Sequence, residues 1–154
     1  MDIFSSLRTA ASGLTAQRLR LDVIANNIAN SNTTRTEEGG PYRRQQVVFR
    51  PREGKPTFRV PLPTPVATRR GVDIESNVAG VQITKVVHDQ TPGNRVYQPS
   101  HPDADEDGYV TYPNVNLATE MTDMLSATRS YEANVTVINA IKSMALRALD
   151  IGRT

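Results

Sequence analysis

The chain contains no cysteine and no tryptophan among its 154 residues, and aromatic residues make up only 5% of the sequence. Without cysteine, neither disulfide bonds nor thiolate metal sites can stabilise the fold. No stretch approaches the roughly 18 apolar residues that a membrane-spanning helix requires. The N-terminus has no basic region followed by an apolar core, so no cleavable secretory signal is visible. By themselves, these absences indicate a small cytoplasmic protein of one or two domains.

Proline is confined to the middle of the chain, where all ten prolines lie between Pro41 and Pro113. Because proline lacks a backbone donor and clashes with the preceding helical turn, its absence leaves both ends free to form long helices. We predict an α+β fold in which the N- and C-terminal helices form a coiled-coil-like stalk beside a small β-rich module. The predicted boundaries are 1–36, 37–115 and 116–154.

Apolar residues recur at alternating intervals of four and three from Ile3 to Ile28 and from Leu117 to Leu149, which is the pattern of a coiled-coil seam. Gln17, Thr128 and Lys142 are polar exceptions to it. We predict that this seam is an assembly interface. Its residues are Leu7, Leu14, Leu21, Ile24 and Ile28 at the N-terminal end, and Met121, Met124, Tyr131, Val135, Ile138 and Leu149 at the C-terminal end. In the bundle, Leu21 and Ile24 are expected to face Val135 and Ile138 of the same chain or of a neighbour.

Each predicted helix also carries a second apolar row, and these rows predict further packing between subunits. The rows consist of Ala16, Leu19 and Val23 on the first helix, and Ile141, Met144, Ala148 and Ile151 on the second. Asn116 is a suitable N-cap for the second helix. Gly152 is expected to end that helix in a left-handed conformation.

The middle of the chain is rich in turn residues and in short β-like runs. β-branched and aromatic residues predict strands at 45–50, 57–60, 96–97 and 109–112, with two further short strands on either side of Ala79 and Gly80. The segment 61–65 holds three prolines and is expected to be an extended connector.

Candidate metal sites are weak. Residues 103–108 match the first six positions of an EF-hand loop, but Asn114 stands where the bidentate glutamate should be. We therefore expect Asp103, Asp105 and Asp107 to form a structural acidic turn rather than a calcium site. The two histidines have no further ligand at metal spacing. We expect no cofactor.

Candidate catalytic residues are equally weak. The sequence contains no phosphate-binding loop, no dinucleotide-binding fingerprint and no nucleophile elbow. Glu120, Asp123 and Glu132 are expected on a helix surface, where solvated charge is the ordinary explanation. We predict that the protein is not an enzyme.

Charge is segregated along the middle of the chain, although the net charge is only +2. Residues 42–70 hold eight basic residues and one acidic residue, whereas residues 71–116 hold seven acidic residues and two basic ones. This segregation suggests head-to-tail contacts between copies or with a related protein, and two separately solvated surfaces are the equal alternative. An alternative is a nucleic-acid-binding module that uses residues 43–70, but this segment lacks interleaved aromatic residues.

Four stretches together resemble the bacterial flagellar rod and hook axial proteins. The first is NNIANSNT at 26–33, with Asn26, Asn27, Asn30 and Thr33 as the motif residues. The others are GGPYRR at 39–44, SATRSYEANV at 126–135, and the stretch from HPDAD at 101–105 to YPNVN at 112–116. The acidic stretch and the short middle segment narrow the resemblance to a proximal rod subunit. A hook or distal-rod subunit is the alternative, although those are generally longer in the middle.

The resemblance implies a structural subunit of the proximal rod, located in the cell envelope. The terminal helices of such proteins pack side by side into the inner tube of a hollow, torque-transmitting rod, and the middle module forms its outer layer. The implied partners are other copies, neighbouring rod proteins and the flagellar export apparatus, with the basal-body rings as further candidates. Export of the unfolded chain without a cleaved signal would explain the missing leader. No catalysis, nucleic acid or membrane span is implied.

Overall fold

Two long antiparallel helices run beside two small β-sheets in the computed structural model, which describes residues 3–53 and 78–152. The elements in chain order are α1 (Ile3–Ala29), β1 (Gln45–Glu53), β2 (Val78–His88), β3 (Asn94–Tyr97), β4 (Tyr109–Tyr112) and α2 (Leu117–Ile151). Strands β1 and β2 form one antiparallel ribbon, and β3 and β4 form the other. The predicted α+β fold is confirmed. The predicted strand at 57–60 and the connector at 61–65 lie outside the described residues.

Helices α1 and α2 contain 27 and 35 residues, which correspond to lengths of about 40 and 52 Å. Asn116 is the predicted N-cap of α2, since its Oδ1 accepts from the backbone N–H of Ala118 and Thr119 at 3.0 and 3.2 Å. Helix α2 ends before Gly152, but the predicted left-handed conformation is wrong. Gly152 has φ −79° and donates its N–H to the carbonyl of Ala148, so it continues the helical hydrogen-bond pattern.

The register between the helices is visible in two contacts. A Cβ on Gly13 would lie 3.1 Å from the amide of Asn134, and Asn27 donates to Glu120 at 3.1 Å. The last turns of α2 therefore project beyond the start of α1 by about 10 Å. Within residues 3–53 and 78–152, neither helix is long and apolar enough to span a membrane.

The β1–β2 ribbon lies along α1. Strand β2 runs without interruption through Gly80, so the prediction of two short strands around this position is wrong. Gly80 has φ +104°, and a Cβ there would overlap the hydroxyl of Ser12 on α1. Glycine is needed here because it permits the positive φ and the close approach of the strand to the helix.

The β3–β4 sheet is held by aromatic contacts. The rings of Tyr97 and Tyr109 meet edge to face with centroids 5.3 Å apart, and the guanidinium of Arg95 lies 5.1 Å from the Tyr109 centroid. Arg95 also pairs with Asp105 at 3.4 Å. This contact fixes one side of the acidic turn to the sheet.

Asp103 fixes the other side of the acidic turn to the loop that follows α1. Its carboxylate accepts from the Thr34 hydroxyl at 2.7 Å and pairs with Arg35 at 3.7 Å. In the described part of the chain, no group of three histidine, cysteine, aspartate or glutamate side chains is placed to hold a metal ion. The two aspartates thus have structural partners in the chain itself.

We predict that Gly80→Ala destabilises the protein more than Gly40→Ala does. Both glycines have positive φ, but a Cβ at Gly40 would meet nothing within 4 Å. Both variants should lose about 1–2 kcal/mol of unfolding free energy, because alanine is strained in a left-handed backbone conformation. Overpacking against Ser12 should lower the unfolding free energy of Gly80→Ala by about 1–3 kcal/mol more. Thermal unfolding followed by circular dichroism measures the difference, and equal losses would contradict the close approach.

Candidate assembly interface

Small residues fill the space between the two helices. Ala127 is 0% exposed, and Ala10 and Ala16 are 5% and 3% exposed. Gly13 lies against Asn134 in the same contact. Because these side chains are small, the helices can approach closely, and the larger apolar residues buried on the pair are Val23, Ile24 and Ile141.

The large residues of the predicted seam lie mostly outside this contact. Ile24 is buried within the chain at 5% exposure. Another six are half-buried, namely Leu14, Leu21, Ile28, Met124, Val135 and Ile138. The remaining four are exposed: Tyr131 by 36%, Leu7 by 37%, Met121 by 55% and Leu149 by 68%.

These seam residues share one side of the helix pair. On α1, Leu14, Leu21 and Ile28 each follow a residue of the row that faces α2, so they are turned about 100° from it. On α2, Met121 and Val135 likewise follow Glu120 and Asn134. Because the helices are antiparallel, these rotations of about 100° place the seam residues of α1 and α2 on the same side of the helix pair. The β1–β2 ribbon is attached on the opposite side.

We call this side the open face and define it by the exposed and half-buried seam residues together with Leu117. Leu117 lies four residues before Met121 on α2 and is 44% exposed. The open face combines leucine, methionine, valine and isoleucine from both helices. It is therefore a largely apolar surface that the described part of this chain leaves at least partly uncovered.

The expected pairing of Leu21 and Ile24 with Val135 and Ile138 is not formed within one chain. Ile24 instead lines a cleft with Glu120 and Asp123. Polar contacts set this register, because Arg20 pairs with Asp123 at 3.1 Å and Asn27 bonds to Glu120. Pairing of these residues with a neighbouring subunit stays a prediction.

The second apolar rows are divided between two roles. Ala16, Val23 and Ile141 are buried within the chain, which corrects the prediction that these rows serve contacts between subunits. Met144 is 59% exposed and remains available to a neighbour. The side chain of Ile151 lies outside the described residues.

Asn27 joins α1 to the ribbon and to α2. It is 1% exposed and makes four hydrogen bonds. Its Oδ1 accepts from the N–H of Gln45 at 2.9 Å and from the Tyr42 hydroxyl at 3.0 Å. Its Nδ2 donates to the carbonyl of Gln45 at 2.9 Å and to Glu120 Oε2 at 3.1 Å. The amide is fully satisfied, as a buried polar group must be.

Glu120 is not on a solvated surface, so that expectation is wrong. Its side chain is 1% exposed, and Oε1 accepts from Nε of Arg44 at 2.6 Å. Arg44 also lies 3.8 Å from Asp123, which is half-buried. One signal in the sequence could have revealed this burial: Glu120 lies in the same heptad row as the buried residues Ala127 and Ile141.

We call the cluster of Asn27, Tyr42, Arg44, Gln45 and Glu120 the polar junction. Other motif residues serve the exit of α1 instead. Asn30 donates to the carbonyl of Asn26 at 2.9 Å and accepts from the Thr33 hydroxyl at 3.2 Å. The asparagine motif therefore caps one helix and joins three elements.

Comparisons with known proteins agree with this architecture. Residues 7–35 match the family described as Flagella basal body rod protein, and residues 106–151 match Flagellar basal body rod FlgEFG protein C-terminal. A Flagellar basal-body rod protein FlgC from Borreliella burgdorferi is 50% identical over 98% of both chains. Proteins of the same description from Bacillus subtilis and Escherichia coli are 44% and 39% identical over 99% of this chain and all of theirs.

The chain belongs to the FlgC family of flagellar basal-body rod proteins. It is a structural subunit of the flagellar rod and is located in the basal body. The matched segments include α1 and α2, the helices that carry the open face. The relatives are structural rod proteins.

We predict that Glu120→Ala lowers the free energy of unfolding by about 3 kcal/mol, because Arg44 and Asn27 lose their shared acceptor. Glu132→Ala is the matched control, since Glu132 lies on the same helix and is exposed. The control should change the free energy by less than about 0.5 kcal/mol. Urea unfolding measures both, and similar losses would show that the Glu120 contacts contribute nothing.

Tyr42 generates a prediction for alkaline pH. Its burial, and then the nearby Glu120 carboxylate, raise the pKa of the Tyr42 phenol above its ordinary value. Between about pH 10 and the raised pKa, the unfolded chain loses this proton while the folded chain keeps it, so stability falls as pH rises.

Tyr42→Phe should make this alkaline decline shallower. Tyr131→Phe, at an exposed tyrosine, should leave the slope unchanged. Urea unfolding between pH 8.5 and 11 would follow both variants. If the stability of Tyr42→Phe declines as steeply with pH as that of the parent protein, the Tyr42 phenol is not the group responsible.

Proposed function

We propose that this rod subunit belongs to the proximal rod and assembles through the open face. The helical parts 1–36 and 116–154 would pack side by side into the hollow inner tube. The module 37–115 would form the outer layer. The observation that supports this assignment is the size of the uncovered apolar surface on the helix pair.

The large apolar side chains of the helix pair need a partner. On the open face, Leu149 and Met121 are 68% and 55% exposed, and Leu117 is 44% exposed. Soluble monomers rarely expose contiguous apolar patches of this kind. Fully burying each such side chain would contribute up to about 1.5–3 kcal/mol, and many such contacts together can offset the entropic cost of association.

The proposed partners are other copies of the chain and neighbouring rod proteins, which would supply equivalent helices. The export apparatus would deliver the subunit as an unfolded chain without a cleaved signal, and the basal-body rings would surround the assembled rod. The absence of cysteine suits this route, because no disulfide can trap the chain before assembly. The assembled tube would transmit torque through its many lateral contacts.

The nucleic-acid alternative keeps Arg50 and Arg52 as exposed basic residues in the described part of its segment, but two other arginines there are engaged within the chain. Arg44 is engaged by Glu120, and Arg43 donates to Gln90 at 3.0 Å. The remainder of the 43–70 segment from residue 54 onward lies outside the described residues. A hook or distal-rod subunit is disfavoured because the relatives are described as rod proteins FlgC over nearly the full chain.

We predict that Met121→Asp abolishes motility without unfolding the monomer. Met121 is 55% exposed, so the charge is solvated in the free chain but would be desolvated in the packed open face. The variant should be exported normally, and complete basal bodies should fall at least tenfold when counted by electron microscopy.

Thr122→Asp is the matched control, because the neighbouring residue is exposed and is turned about 100° further from the open face. It should assemble rods in normal number. Normal motility of Met121→Asp at normal expression would show that the open face is not the assembly interface.

A further inference from the structure

The β1–β2 ribbon is attached to α1 at two separate places. At one end lies the polar junction, where Asn27 bonds to both backbone groups of Gln45. At the other end, the hydroxyl of Ser12 accepts from the N–H of Val81 at 3.0 Å, and Gly80 passes directly over the helix. We call this second attachment the Ser12 contact.

The two attachments are matched in length. Helix α1 rises about 22 Å from Ser12 to Asn27. Strand β1 spans about 20 Å from Gln45 to Pro51, which is the residue paired with Val81. The ribbon therefore lies along the helix and is held at both ends. One attachment alone would leave the ribbon free to turn about it.

Apolar packing covers the ribbon only in part, because Val47, Phe49, Val81 and Ile83 are half-buried. Among residues 45–52 and 80–88, only Gly80 is buried. Val48 and Val86 are each 39% exposed, and Val87 is 36% exposed. Apolar contacts are also non-directional and tolerate sliding. The polar contacts are directional, so they constrain the angle between ribbon and helix more than this packing does.

We infer that the polar junction and the Ser12 contact form a rigid two-point joint that fixes the ribbon on the helix pair and transmits torque between them. Arg44 and Ser12 are positioning residues in this joint, because they act through the orientation of the ribbon and not through contacts with a neighbour. The torque component rests on the proposed function, whereas the rigidity is a property of the single chain.

The rigidity can be tested on the isolated full-length chain. Because the sequence has no cysteine, Arg18→Cys on α1 and Lys85→Cys on β2 provide two unique positions for spin labels. Both residues are exposed. Pulsed electron paramagnetic resonance then gives the distribution of distances between the helix and the ribbon.

A narrow distribution is expected in the labelled parent. Combining Ser12→Ala with Arg44→Gln should at least double the width of the distribution, and each single change should give an intermediate width. Arg95→Gln, which removes the exposed pair with Asp105, is the control and should leave the width unchanged. Arg44→Lys should partly restore the narrow distribution, because it keeps the charge. A broad distribution in the parent, or an unchanged width in the double variant at unchanged helical content, overturns the joint.

The torque component is tested in cells that carry the same double variant. Complete rods should be as numerous as in the parent when basal bodies are counted. As viscosity rises, the rotation speed of tethered cells should fall at least twice as much in the double variant as in the parent. Equal slowing overturns torque transmission by the joint. If the double variant widens the distance distribution and also reduces the number of rods, torque transmission by the joint is overturned as well. The contacts would then serve assembly of the rod.

Discussion

The buried amide of Asn27 is the interaction on which the arrangement of the chain depends. It bonds to the backbone of the ribbon, to the Tyr42 hydroxyl and to the Glu120 carboxylate. These partners come from β1, the preceding loop and α2. If any one element moved away, a desolvated polar group would lose its partner, at a cost of about 1–3 kcal/mol. The three elements must therefore become ordered together.

The distribution of side-chain sizes in the helix pair is the reverse of that in a self-sufficient domain. Alanine and glycine lie between the helices, whereas leucine and methionine are exposed. Close approach of the two backbones near Gly13 and Ala127 favours small residues there, and few large apolar residues of the pair are buried. The larger apolar area can then be buried only against neighbours. Such a subunit gains much of its stability on assembly, which suits a component of a polymer.

The sequence reveals helices and strands here more readily than it reveals what covers them. Absent prolines and a 4/3 repeat locate α1 and α2, but periodicity shows only which residues share a face. It cannot distinguish a face that packs within the chain from one left for a neighbour. The sequence alone places Glu120 on a solvated surface, because an isolated charge on a helix usually faces solvent. Its partner Arg44 lies 76 positions away, so the pattern within the helix cannot reveal the pair. Gly80 was interpreted as a break because its close contact, Ser12, is on a distant helix.

The choice of polar contacts between ribbon and helix has a mechanical consequence. Hydrogen bonds weaken steeply as their angle departs from linearity, so they resist rotation as well as separation. Apolar contacts of equal strength would resist separation but permit sliding. The buried carboxylate of Glu120 strengthens this effect, since Arg44 must remain in place to neutralise it. A subunit that turns with its neighbours needs a fixed angle between its parts, and directional contacts can provide that angle where apolar area cannot.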